Sequence, residues 1–139
     1  MKEKYHCPFE ALVEIVGGKW KLLILWRLNL HDFLNFNEIQ ELTEGATSEV
    51  LDIQLRELEN NNFIQRIAYP EIPPRVEYHI TDLGRSLWPV LVSMQEWSID
   101  YLEKNGIEID EDVLEEFDNV KRERHISDMA SEIIEDEES

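Results

Sequence analysis

Between residues 47 and 56 the chain places two hydroxyls (Thr47, Ser48), two carboxylates (Glu49, Asp52) and one guanidinium (Arg56) within ten positions. Lys19 and Lys21 lie upstream, Arg66 and Arg75 downstream. At the helical step of about 100° per residue, Glu49, Asp52, Ile53 and Arg56 fall on one face, and Leu51, Leu55 and Leu58 fall on the opposite one. Guanidinium and ammonium groups at such spacing hold phosphates, hydroxyls add weaker donors, and carboxylates accept from amino groups. Other chemistry finds little support. His6, His31, His79 and His125 share no ligand spacing, and with Cys7 as the single cysteine they make no recognisable metal site. The sequence holds no Gly-rich phosphate loop, no Gly-x-Ser-x-Gly elbow and no His-Glu-x-x-His, so neither an enzyme nor a bound cofactor is expected.

The elements that must carry these groups follow from periodicity. Phe9, Leu12, Val13 and Val16 predict a short amphipathic helix with Pro8 in its first turn, closed by a left-handed cap at Gly17-Gly18. Lys19 to Leu30 is apolar nearly all round and predicts a helix at the centre of the core. Asn35 to Leu42 predicts a third helix with Phe36, Ile39 and Leu42 inward, and Glu44-Gly45-Ala46 a tight turn. Thr47 caps a fourth, running to about Asn60. Phe63–Tyr69 and Arg75–Ile80 read as strands paired through the loop Pro70-Glu71-Ile72-Pro73-Pro74. Thr81 starts a long last helix to about Asn105, kinked at Pro89. Along it Leu83, Leu87, Val90, Met94, Trp97 and Tyr101 alternate steps of four and three, a seam for another helix.

With 139 residues the chain suits one domain. Its 42% apolar content is that of a globular protein. The formal charge of −18 is unevenly spread: residues 1–106 hold 17 acids and 10 bases, residues 107–139 hold 14 acids and 3 bases. The expected organisation is therefore a domain over 1–106 and an acidic helical extension over 107–139. Its two apolar stripes are Val113, Leu114, Phe117, Val120 and Ile126, Met129, Ala130, Ile133, Ile134. They read as two helices packed on the body or on a second subunit, or as part of an acidic decoy competing with DNA. The terminal Glu135-Asp136-Glu137-Glu138-Ser139 is expected to fray. No apolar run approaches a membrane span, and the opening Met1-Lys2-Glu3-Lys4-Tyr5 leads into no signal-like stretch, so the cytoplasm is the simplest location.

Two helices joined by a Gly-containing turn, followed directly by a hairpin, describe a winged helix-turn-helix: a mainly α fold with a small β-hairpin wing. Particular strings carry the reading further. Cys7-Pro8, Gly17-Gly18-Lys19-Trp20 and Ile24-Leu25, then Leu55-Arg56-Glu57-Leu58-Glu59, then Pro73-Pro74-Arg75-Val76-Glu77-Tyr78 with Ile80-Thr81 and Leu83-Gly84, and finally Trp97 resemble the HxlR-type winged-helix transcriptional regulators, relatives of the MarR group. The resemblance spans residues 7 to about 98. It implies a homodimer joined through the N- and C-terminal helices, with Phe9, Leu12, Leu87, Val90, Met94, Trp97 and Tyr101 at the interface. It also implies a recognition helix over about 47–60 in the major groove of operator DNA and a wing over 69–78 along the backbone or minor groove. Thr47, Ser48, Glu49, Asp52, Ile53, Arg56, Arg66, Arg75, Lys19 and Lys21 are then the candidate DNA contacts. In several members of that family the cysteine matching Cys7 senses oxidants or electrophiles; here the thiol precedes a helix start near Lys4 and His6, and the alternative is a quiet, half-buried thiol.

The chain departs from that family where DNA would be touched. Asn35-Phe36 stands for an Arg-Phe pair, Glu49 for a basic residue and Asp52 for a threonine. A carboxylate facing a phosphate works against binding, whereas one facing a cytosine amino group reads sequence. Arg75 has two readings, a phosphate or minor-groove contact and a brace for the proline loop. Arg56 can be held by Asp52 at i−4 or by Glu59 at i+3. The acidic face leaves a second function open, docking of a basic protein partner, and the net acidity a third reading, adaptation to a salty cytoplasm.

Overall fold

The structure, a computed structural model, describes residues 3–138, with side chains through Ile133. Met1, Lys2 and Ser139 lie outside the described residues, as do the side chains of the acidic end expected to fray. The chain divides into two compact units at Ser93 and Met94.

The first unit holds helices α1 (Phe9–Val16), α2 (Lys19–Leu30), α3 (Phe36–Leu42) and α4 (Ser48–Asn60), strands β1 (Ile64–Tyr69) and β2 (Arg75–Ile80), the short helix α5 (Asp82–Arg85) and the start of α6 (Trp88–Lys104). Helix α2 runs through the middle as its composition requires, with Ile24, Leu25 and Leu28 fully buried. The inward stripe of α4, Leu51, Leu55 and Leu58, is buried too. Trp26 stacks on Trp88 at 4.7 Å between ring centroids. The strands pair antiparallel from Ile64↔Ile80 to Tyr69↔Arg75. Leu34, in the link between α2 and α3, adds a bridge to Tyr78 with hydrogen bonds of 3.1 and 2.8 Å. That bridge ties the wing's inner edge to the helices, a contact that the polar-apolar pattern does not announce.

Local chemistry sets the boundaries. Asn35 and Glu38 form a reciprocal capping box at the start of α3. Thr47 Oγ1 accepts from Val50 N at 3.2 Å, starting α4 where the sequence places it. Three expectations are corrected. The left-handed residue after α1 is Gly18 (φ 86°) alone, while Gly17 is extended at φ −56° and ψ 135°; Gly18 serves as N-cap of α2, so the sharp turn belongs there. The last helix is broken rather than kinked. Proline at 89 clashes with the carbonyl four residues back, and α5 duly stops at Arg85, leaving Pro89 in the first turn of α6.

The second unit holds the rest of α6 and helix α7 (Glu111–Glu138). Here the third correction falls: one helix carries both stripes instead of two. The intervening Lys121-Arg122-Glu123-Arg124-His125 contains no glycine or proline and is rich in helix formers. Phe117 and Val120 of the first stripe are buried; Ile126, Met129 and Ile133 of the second are exposed. No helix among the described residues is long and apolar enough to cross a membrane.

Candidate nucleic-acid interface

Helix α4 separates its two faces cleanly. With the leucines inward, Glu49, Ile53 and Arg56 are exposed and Asp52 is half-buried. The Ser48 hydroxyl accepts from Gln40 Nε2 at 3.2 Å, fixing the start of α4 against α3. Asp52 Oδ2 lies 3.1 Å from Arg56 Nε, so of the two acids in reach of Arg56 the upstream one holds it. Lys21 leaves the candidate set: it is buried on α2, and its ammonium pairs with Glu57 on α4. The all-round apolar pattern of α2 explains the placement, since a long aliphatic stem can cross a core edge and deliver its charge to the rim. Lys19 stays exposed, with Nζ 4.7 Å above its neighbour Trp20.

The wing stands beside α4. Arg66 on β1 is exposed and, among the described residues, has no ion-pair partner. With Asp52, Arg56, Glu59, Asn60 and Tyr78 it lines a groove of about 570 Å³ between helix and wing. Arg75 opens β2 opposite Tyr69. Its guanidinium lies 4.0 Å over the Tyr69 ring and its Nη2 is 3.5 Å from Glu71 Oε1, so it braces the proline-containing loop while remaining half exposed. At that loop's crest Ile72 is wholly exposed, before a cis peptide to Pro73.

A polar cluster that the candidate residues omit holds the wing's base. Glu77 is 5% exposed, and its Oε1 accepts from the Tyr69 hydroxyl at 2.9 Å and lies 3.1 Å from His79 Nε2. Burial raises the Glu77 pKa, but the hydrogen bonds from Tyr69 and His79 and the nearby charge of Arg75 outweigh it, so the carboxyl sits below its ordinary value. The same hydrogen bond, with burial second, holds the Tyr69 phenol above its ordinary value. Strand alternation was the available signal: Arg75, Glu77 and His79 share one face of β2, with Tyr69 diagonal to Glu77 across the pair.

Cys7 is exposed ahead of α1. Phe9 on α1 is 70% exposed and Leu12 is half-buried. Leu87 precedes α6 and is half-buried; Val90, Met94, Trp97 and Tyr101 form an exposed apolar stripe along α6, with Trp97 stacked on Tyr101 at 5.2 Å. Among the described residues no group of three or more His, Cys, Asp or Glu could hold a metal.

The model of the HxlR-like helix-turn-helix family matches residues 15–106. The chain is 41% identical over 98 residues to the uncharacterized HTH-type transcriptional regulator YdeP of Bacillus subtilis (strain 168), covering 70% of this chain and 76% of that one. Among solved structures it resembles the redox regulator HypR in its oxidized form, with TM-score 0.64 and 36% identity over 68% of this chain and 96% of that one. It also resembles the putative HTH-type transcriptional regulator ytcD, with TM-score 0.66 and 37% identity over 70% of this chain and 98% of that one. The chain belongs to the HxlR-like helix-turn-helix family, the winged-helix DNA-binding transcriptional regulators related to the MarR group.

Proposed function

We propose that two copies of this chain form a cytoplasmic two-fold dimer that binds an operator, each setting α4 in the major groove and resting the wing, residues 69–78, on the adjoining backbone. The observation that carries this is the division of α4: three leucines lock one face into the core while the other presents Glu49, Ile53 and Arg56 to solvent, with Asp52 half-buried beside them. Thr47 and Ser48 begin that face, and Arg66, Arg75 and Lys19 supply phosphate contacts. The exposed stripe of α6 with Phe9 and Leu12 of α1 supplies the dimer contact. Cys7, exposed before α1, is the thiol through which this chain would share the redox control that the name of HypR carries.

The test is a gel-shift series on the DNA upstream of the chain's own coding sequence, begun at about 50 mM salt because phosphate contacts weaken steeply with ionic strength. Retardation with two protected half-sites about 34 Å apart supports the reading. No retarded species at that salt overturns it.

A second reading is favoured by the ion pairs: Lys21, Arg56 and Arg75 all engage carboxylates of their own chain, which leaves Glu49 and Ile53 dominant on the outward face of α4. That surface suits a basic protein partner. Glu49→Lys separates the two, strengthening DNA binding about tenfold at low salt in the first case and abolishing capture of the partner in the second.

A further inference from the structure

We infer that Asp52 and Arg56 work as one unit that reads guanine in the operator, with Asp52 aiming the guanidinium. This rests on the placement of α4 in the major groove. A guanidinium has two donor edges, one through Nε and one through its paired Nη atoms. Asp52 lies against Nε at 3.1 Å, and among the described residues no other carboxylate comes within ion-pair distance of Arg56. The Arg56 side chain is 74% exposed, so its Nη end stands free for a ligand. Guanine alone presents two acceptors, O6 and N7, on its major-groove edge, which matches that end of the fork.

The direction of the pairing matters as much as its distance. Glu59, one turn further on, would draw the guanidinium toward the C-terminal end of α4; Asp52 draws it one turn toward the N-terminal end. Base edges meet a recognition helix near its N-terminus. Holding the side chain there in advance removes ordering that binding would otherwise require. The pair also changes what the acid at 52 means electrostatically, since a carboxylate that repels phosphate when alone is neutralised when paired. Exposed ion pairs add little to stability, and α4 is already held by its three leucines and by Lys21–Glu57. The fold does not need Asp52–Arg56.

The test selects binding sites from a pool of random duplexes with the wild-type chain, Asp52→Ala and Arg56→Lys, after circular dichroism shows all three folded. The wild type is expected to enrich a two-fold motif with guanine at one position of each half-site. Replacing that guanine with 7-deazaguanine, which lacks the N7 acceptor, is expected to weaken wild-type binding about tenfold. Asp52→Ala is expected to bind random duplex more tightly than the wild type yet to lose most of the preference for guanine, and Arg56→Lys to bind while losing it too. If Asp52→Ala gains affinity and keeps the preference, the acid merely repels phosphate and the inference falls. If the motif is unaffected by 7-deazaguanine, the acid reads cytosine directly and the inference falls as well. A wild-type chain that enriches no sequence defeats the operator reading itself, a result distinct from either.

Discussion

Lys21 of α2 and Glu57 of α4 meet at the edge of the core, the ammonium side chain 11% exposed and the carboxylate side chain 49%. Together with the buried leucines Leu51, Leu55 and Leu58, this pair holds α4 against the core. Removing the acid strands a buried cation; replacing the base by an apolar chain of similar length strands nothing, because Glu57 can turn to water. Glu57→Ala is therefore expected to cost about 1–2 kcal/mol, less than for a fully buried pair because the carboxylate is half solvated. Lys21→Met is expected to cost under about 1 kcal/mol. Urea denaturation of both variants checks the asymmetry, and equal losses would refute it.

Gly84 lies where two elements close on each other. Thr81 caps α5 by accepting from Gly84 N at 3.0 Å, and its hydroxyl donates to Asn62 O at 2.7 Å, pulling α5 against the start of β1. A Cβ at Gly84 would stand 2.3 Å from the Phe63 carbonyl oxygen and 2.4 Å from Ile80 Cδ1. The first neighbour is backbone and cannot give way. Gly84→Ala is expected to destabilise the fold by about 2–3 kcal/mol, visible as a lowered urea midpoint with an unchanged slope.

Much of this was legible in the sequence because local and tertiary preferences agree there. Thr47, the leucine spacing of α4 and the proline-bounded hairpin each specify a boundary through nearby chemistry. The misreadings share a cause. Lys21 looks like an outward cation in a one-dimensional pattern, and only the position of Glu57, 36 residues away, shows otherwise. The Glu77 cluster is invisible residue by residue, because it depends on register across two strands. The sequence reads Pro89 as a kink, but its clash with the carbonyl at Arg85 ends the helix there, because the chain turns between Arg85 and Trp88. Arg75 has two readings in the sequence; the Tyr69 ring beneath it and Glu71 beside it support the brace, and its half exposure keeps it available to a phosphate.

The wing's stability should depend on pH in two windows of opposite sign. The Glu77 carboxyl is held below its ordinary value in the fold, so its contribution is complete above the unfolded carboxylate range, about pH 4, and is lost as pH falls through the folded value. The Tyr69 phenol is held above its ordinary value, so its contribution is complete below about pH 10 and is lost as pH rises through the folded value. Unfolding free energies from pH 2 to 11 are expected to show a plateau between the two limits. Glu77→Gln should flatten the acid limb and Tyr69→Phe the alkaline one. An acid limb unchanged in Glu77→Gln would assign it to other carboxylates.

Along α6, Val90, Met94, Trp97 and Tyr101 recur at steps of four, three and four, and all four are exposed, Trp97 at 66%. A stacked indole and phenol in water is a costly surface for a lone chain and a strong anchor for a second one. Trp97→Asp removes the largest member and puts a charge in the seam without touching the buried core. The wild-type chain of 16.5 kDa is expected to sediment at twice that mass. The variant is expected to sediment at the single-chain mass, with unchanged helical circular dichroism. Because two half-sites bound by linked subunits gain about 100-fold or more over one, the variant should also lose at least that factor on a two-fold operator while binding a single half-site as well as the wild type does. A wild-type chain that stays at 16.5 kDa at tens of micromolar, or a Trp97→Asp chain that stays paired, would place the dimer contact elsewhere or remove it.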